Sequence, residues 1–205
     1  MPYEEVFPKF MKESLEKLIL LPTYGERGAG RLIYNLLKLP VEKRLEVVKA
    51  LEKMAEKIKA CIECGLYTEE EICSICSNPK RSKKFICVVE EPQDAFAIEK
   101  LERYAGVYHV LGGRIAPLEG VSPNNLKIDS LLERTERYKA KEVILATNPN
   151  VEGEATALYL SKLIKKQFPN IKITRISQGL QFGSLIEFVD ELSLEKSIEN
   201  RRSLG

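Results

Sequence analysis

Two cysteine pairs in "CIECGLYTEEEICSIC" carry the clearest chemistry in this chain. Cys61 and Cys64 form one C-x-x-C knuckle and Cys73 and Cys76 another, with eight residues between them. Each knuckle lets two thiolates converge on one ion, and two knuckles complete the four-thiolate shell of a zinc site. Four protein ligands leave no open position, so the expected Zn2+, one per chain, is structural and not catalytic. Cys87 stands alone in the apolar run "FICVVEE" and reads as a small buried hydrophobe.

A second set of candidates lies in "VILATNPNVEGEAT", Val143 to Thr156. An apolar run there meets an Asn148-Pro149-Asn150 turn, followed by Glu152, Gly153 and Glu154; Glu90 closes another apolar run upstream. Magnesium binds hard anionic oxygens at near-octahedral geometry, and amides at 148 and 150 bring none of that charge. Glu90, Glu152 and Glu154 are expected to converge at the strand ends and to dock a basic surface of a partner protein. The plainer alternative is that they cap and orient the helix that follows.

A third set is basic. In "PTYGERGAGRLIYNLLKLP", Arg27 and Arg31 stand four apart after Gly25. A glycine turn lets the backbone approach a phosphate, and the next helix offers its N-terminal amides. Arg27 and Arg31 share one helical face and are placed to bind DNA through adjacent phosphates, in a sequence-blind and salt-sensitive way. An ordinary helical hairpin with solvated arginines fits the same residues. The run Lys80, Arg81, Lys83 and Lys84 is either a solvated face or an extension of that surface. His109, the only histidine, sits in "VYHVL" and reads as a strand residue.

The elements that must position these groups follow from periodicity. Residues 12–21 carry apolar positions at helical spacing up to Pro22, and a second short helix stops at Pro40. From Val41 an amphipathic helix presents Leu45, Val48, Leu51, Met54, Ala55 and Ile58 as one stripe. Beyond the cysteines, apolar runs at Phe85–Val89, Val107–Leu111, Val143–Ala146 and Ile171–Ile176 alternate with helical patterns near 93–105, 127–138 and 153–167. That alternation predicts βαβ units and a parallel sheet flanked by helices, with ligands at the strand carboxyl ends. The fold class is α/β with an N-terminal helical region. The domains read as 1–58 helical, 59–80 cysteine module, 81–179 sheet, and 180–205 a short C-terminal segment concerned with assembly.

With 205 residues, 44% hydrophobic, the chain is long enough for a substantial core. No apolar run reaches the ~20 residues a bilayer requires, and Glu4 and Glu5 stand where a signal peptide is basic, so the reading is cytoplasmic, with no membrane partner. A net charge of +2 leaves DNA binding to local clusters.

The run "NPNVEGEA", with Glu90 upstream, resembles the Toprim domain of topoisomerases, primases and related nucleases. Its signature is a glutamate after the first strand and D-x-D-x-E-G-E after a later one. Asn148 and Asn150 occupy the aspartate positions, while Glu152, Gly153 and Glu154 match directly. The order of parts, helix-hairpin-helix, four-cysteine zinc module, Toprim-like sheet and short tail, is similar to the RecR family of bacterial recombination mediators. The likeness runs from about residue 12 to Arg202 and is most specific in "CSICSNPKR", "ICVVEEPQDAFAIEK", "GVYHVLGGRIAPLEGVSP" and "EVILATNPNVEGEATALYL". Where the family's hairpin reads L-P-G-h-G-P-K, this chain has Thr23 for the first glycine and Arg27 for the lysine. Where it reads H-G-h-P-h-G-G, this chain has Gln178, Gln181 and Ser184.

The resemblance implies a non-catalytic protein of gap repair, assembled as a ring or clamp, commonly tetrameric. It implies action with RecO and, in many bacteria, RecF, to load RecA onto single-stranded DNA coated by single-strand-binding protein. It also implies DNA contact, single- and double-stranded, through Arg27 and Arg31, and zinc ligation by the four cysteines; given such partners, RecO is the candidate expected to dock on the acidic patch. The rival expectation is a Toprim nuclease or primase-like enzyme using Glu90, Glu152 and Glu154 with magnesium.

Overall fold

The computed structural model describes residues 7–176, 180 and 183–201. Gln178 and Gln181 of the diverged loop, the boundary at Gly179, and Arg202 lie outside the described residues. The chain divides into two compact units, residues 1–57 and 58–205.

The first unit holds helices α1 (Lys9–Ile19), α2 (Glu26–Leu37) and α3 (Val41–Lys57). Leu15 of α1 packs with Ala29 and Ile33 of α2 and with Phe7, which meets the Tyr34 ring edge-on at 5.6 Å. Proline cannot continue a helix, and α1 gives way to a turn at Pro22. The next residue, Thr23, lies in the left-handed region at φ 74°. Arg44 of α3 donates to the carbonyls of Leu37 (2.6 Å) and Leu39 (2.7 Å), satisfying groups that the end of α2 leaves open. The amphipathic helix forms, but its apolar stripe is not core: Leu45, Val48, Leu51 and Met54 are exposed, and α3 buries no residue. It ends at Lys57 because Lys59–Ala60 enter a strand, β1, paired antiparallel with β2 (Tyr67–Thr68).

The second unit contains the cysteine segment, the short helix α4 (Ser74–Ser77), and a four-stranded sheet. Strands β3 (Ser82–Val89), β4 (Gly106–Val110), β5 (Glu142–Leu145) and β6 (Lys172–Arg175) are all parallel, in the order β4-β3-β5-β6. The crossovers are α5 (Pro92–Glu99), α6 (Ile128–Arg137) and α7 (Val151–Gln167). A parallel strand covered on both faces should be apolar throughout, as the buried run Ile86 to Val89 is. On one face Ile86, Val88, Val107 and Val143 pack with Leu131 of α6 and Leu160 and Ile164 of α7. On the other, Cys87, Val89, Tyr108 and Val110 pack with Ala95 of α5 and with all four knuckle cysteines. The cysteine segment is therefore part of the wall of the sheet.

Helix α5 is shorter than its periodicity suggested. The chain turns left-handed at Glu102 (φ 53°) and enters β4 through Gly106, where a Cβ would lie 2.6 Å from the Phe85 carbonyl oxygen. A further helix, α8 (Glu191–Glu199), has no counterpart among the expected elements; the Asp190 side chain caps it by accepting from Ser193 N at 2.9 Å. Among the described residues no helix is long and apolar enough to cross a membrane.

Candidate functional site

The four cysteines come together as their spacing required. Cys61, Cys64, Cys73 and Cys76 are buried, with all four sulfurs within 4.8 Å of one another. Cys64 and Cys73 Sγ lie 3.5 Å apart, far beyond a disulfide bond. Four sulfurs at the ~2.3 Å bond length of a tetrahedral zinc thiolate would be about 3.8 Å apart, so the set fits such an ion. The backbone supports it: Cys73 N–H donates to Cys61 Sγ (3.3 Å), and Val110 N–H of β4 donates to the Cys64 carbonyl (2.8 Å). Cys87 belongs to the same buried cluster but not to the sulfur set, and burial pushes its thiol up to about 12, which keeps it protonated and unreactive.

Side chains that sequence reasoning did not single out clamp this centre from α6. Glu63, inside the first knuckle, accepts from the Tyr138 hydroxyl (2.6 Å) and from Arg137. Burial acts to raise the Glu63 carboxyl, but Tyr138, Arg137 and Arg134 outweigh it and hold it below the ordinary range. Arg134, 3% exposed, donates through Nη2 to Cys76 Sγ at 3.8 Å and through Nη1 to the Tyr108 carbonyl at 2.8 Å. A buried arginine cannot be read from its own neighbours in sequence; its partners Glu63, Cys76, and Tyr108 with His109 come from three separate segments.

The strand-end loop is built differently from the expected acidic cluster. Glu90 is only 3% exposed, and both carboxylate oxygens are taken: Oε1 accepts from Asn148 N–H (2.8 Å) and Oε2 from Asn148 Nδ2 (2.7 Å). Asn150 is the N-cap of α7, accepting from Gly153 N–H at 2.8 Å. Gly153 admits no side chain, since a Cβ would sit 2.1 Å from the Asn148 carbonyl oxygen. Glu154 pairs with Arg175 at the end of β6, and Glu152 lies in the first turn of α7 with its carbonyl accepting from Thr156 Oγ1 (2.7 Å). The carboxylates of Glu90, Glu152 and Glu154 do not all lie within 4.8 Å of one another. Among the described residues, the four cysteines are the group of three or more ligand-bearing residues close enough to share one ion. Glu90, enclosed and bonded twice to Asn148, fastens the loop between β5 and α7.

Arg27 and Arg31 lie exposed on α2, one turn apart, beyond the extended N-cap Gly25. The second basic run is not a uniform surface. Arg81 is committed inward, paired with Glu99 and donating to the Tyr104 carbonyl (2.5 Å), and Lys83 lies over the Tyr138 ring at 5.2 Å. His109 is buried in β4; its Nε2 bonds the Lys127 carbonyl (2.8 Å), and its Nδ1 faces Arg134 Nη1 (3.1 Å).

Comparison with known proteins agrees with this arrangement. The Toprim domain family matches residues 84–177, from within β3 to just past β6. The chain is 64% identical over 200 residues to "Recombination protein RecR" of Aquifex aeolicus (strain VF5), covering 98% of this chain and 95% of that one.

Proposed function

The chain belongs to the RecR family of recombination proteins, non-catalytic despite a Toprim domain, and from that premise we propose that it is a DNA-binding mediator of gap repair. It acts with RecO and, where present, RecF, to help load RecA onto single-stranded DNA coated by single-strand-binding protein, in the cytoplasm at the nucleoid. The observation that carries DNA binding is the exposed Arg27–Arg31 pair at the start of α2. That helix begins at a glycine and bears two cations on one face, the requirements for holding consecutive phosphates on a single- or double-stranded end.

Two further observations support the reading. The exposed stripe of α3 borders an apolar groove of about 840 Å3, lined by Met11, Leu18, Leu32, Leu36, Val48 and Leu51. Apolar surface of this kind favours self-association, here into a ring or clamp, tetrameric by family. The cysteines fit zinc, and with four ligands it supplies a cross-link and no reaction. RecO docking falls to Glu152 and Glu154, half-buried at the start of α7, since Glu90 is enclosed.

The test is fluorescence anisotropy of labelled single- and double-stranded DNA across a potassium chloride series. Each phosphate neutralised contributes roughly 0.7–0.9 to the slope of log K against log salt. The Arg27→Ala/Arg31→Ala double variant should therefore lose affinity and flatten the slope by about 1.5. A variant with wild-type slope and affinity would place the DNA elsewhere.

A further inference from the structure

Arg134 makes contacts that packing alone does not account for. It is a charged side chain enclosed by protein, and it reaches a sulfur of the cysteine set through Nη2, 3.8 Å from Cys76 Sγ. Its Nη1 is shared by two uncharged acceptors, the Tyr108 carbonyl (2.8 Å) and His109 Nδ1 (3.1 Å). His109 can accept there because its Nε2–H donates to the Lys127 carbonyl at 2.8 Å. Arg134 Nε is buried without a hydrogen-bond partner and lies 3.7 Å from a Glu63 carboxylate oxygen. Glu63 in turn is divided among Arg134, Arg137 and the Tyr138 hydroxyl.

A filled four-cysteine shell has an excess of negative charge: four thiolates around a divalent ion sum to about −2. Charge of that kind, enclosed in protein, requires cations or N–H donors close to the sulfurs. The Cys73 N–H supplies one donor, to Cys61. Arg134 supplies a donor together with a full positive charge, to Cys76.

We propose that Arg134 is a positioning residue of the metal centre: it offsets the charge of the filled shell through Cys76 and ties that shell to β4 through Tyr108 and His109. Metal occupancy and the seating of α6 on the sheet are then coupled. An arginine serving only to pack α6 would stabilise the chain equally with and without metal. This inference rests on the cysteines holding zinc, which the wild-type arm of the experiment tests separately.

The experiment uses the full chain. Zinc affinity is measured by competition with a chromophoric chelator, and the thiolate-to-metal charge-transfer band is recorded after cobalt substitution. Arg134→Met keeps an unbranched apolar stem and removes the guanidinium with its charge; it is expected to weaken zinc binding about 10- to 100-fold and to shift the cobalt band. Arg134→Lys should lose less. Arg137→Met, which removes a contact to Glu63 and none to sulfur, should leave both readouts near wild type. Wild-type zinc affinity in a folded Arg134→Met chain would overturn the proposal. If that variant does not fold, Glu63→Gln decides: releasing the guanidinium from its carboxylate should strengthen zinc binding several-fold, and unchanged or weaker binding overturns the proposal. A wild-type chain that binds no zinc overturns the metal reading itself and the proposal with it.

Discussion

Aspartates at 148 and 150 would restore the charge pattern of a magnesium-binding loop, yet the two positions should respond in opposite ways. Asn148 is a donor: its Nδ2 gives a hydrogen bond to Glu90 at 2.7 Å, which a carboxylate cannot give. Asn150 is an acceptor, taking the Gly153 N–H at 2.8 Å, and aspartate caps a helix as well as asparagine does. Asn148→Asp removes a hydrogen bond to a charged group, worth about 1.5–3 kcal/mol. It also sets a second carboxylate against the enclosed Glu90. At 4 Å such a pair repels by about 4 kcal/mol at an effective dielectric of 20 and about 1 kcal/mol in water. Position 148 faces solvent, so the lower part of that range applies. The sum is a destabilisation of about 3 kcal/mol, a urea midpoint lower by about 1–2 M at ordinary slopes. Asn150→Asp should stay within about 0.5 kcal/mol of wild type. Urea unfolding of both variants side by side reads the difference, and millimolar magnesium should recover part of the loss at 148 by bridging the carboxylates. Equal stability of the two variants would refute the argument that Asn148 is retained as a donor to Glu90.

Two other outcomes follow from single residues. Thr23 holds a left-handed backbone (φ 74°) that a β-branched side chain disfavours by about 1–2 kcal/mol, so Thr23→Gly should raise stability by a net ~0.5–1 kcal/mol in thermal or urea unfolding once the entropy of glycine is subtracted. Burial, helped by the charge of Arg134 and Lys127 and opposed by the Lys127 carbonyl, pushes His109 down to about 4. The unfolded chain therefore takes up this proton first, and stability present above pH ~6.5 is lost as pH falls toward 4, on the order of 3 kcal/mol in all. With one histidine in the chain, a single imidazole NMR signal should keep its Nε2–H tautomer pattern from pH 8 to 5, and His109→Gln should flatten that part of the pH–stability curve.

What could be read from sequence divides according to whether the physics is local. Four cysteines in two knuckles already contain the geometry of their ion, so their meeting needed no knowledge of the fold. The parallel sheet was legible for a similar reason: a strand covered on both faces advertises it in an unbroken apolar run, as Ile86 to Val89 do. Residues paired across the chain were not. Glu90 and Asn148 are 58 positions apart, as are Cys76 and Arg134; the first pair meets because β3 and β5 are neighbours, the second because α4 and α6 both reach the edge strand β4. From composition alone Glu90 is one of three acids at strand ends; from its neighbours it is a buried acceptor with both oxygens filled. The α3 stripe shows the complementary limit. Period 3.6 marks which side of a helix is apolar, and says nothing about which surface covers it. The same distinction bears on the loop that looked like a magnesium site stripped of its ligands. Replacing an aspartate by asparagine there removes a charge and also reverses the direction of a hydrogen bond. At position 148 that reversal matters, because it lets Glu90 be satisfied from within the chain.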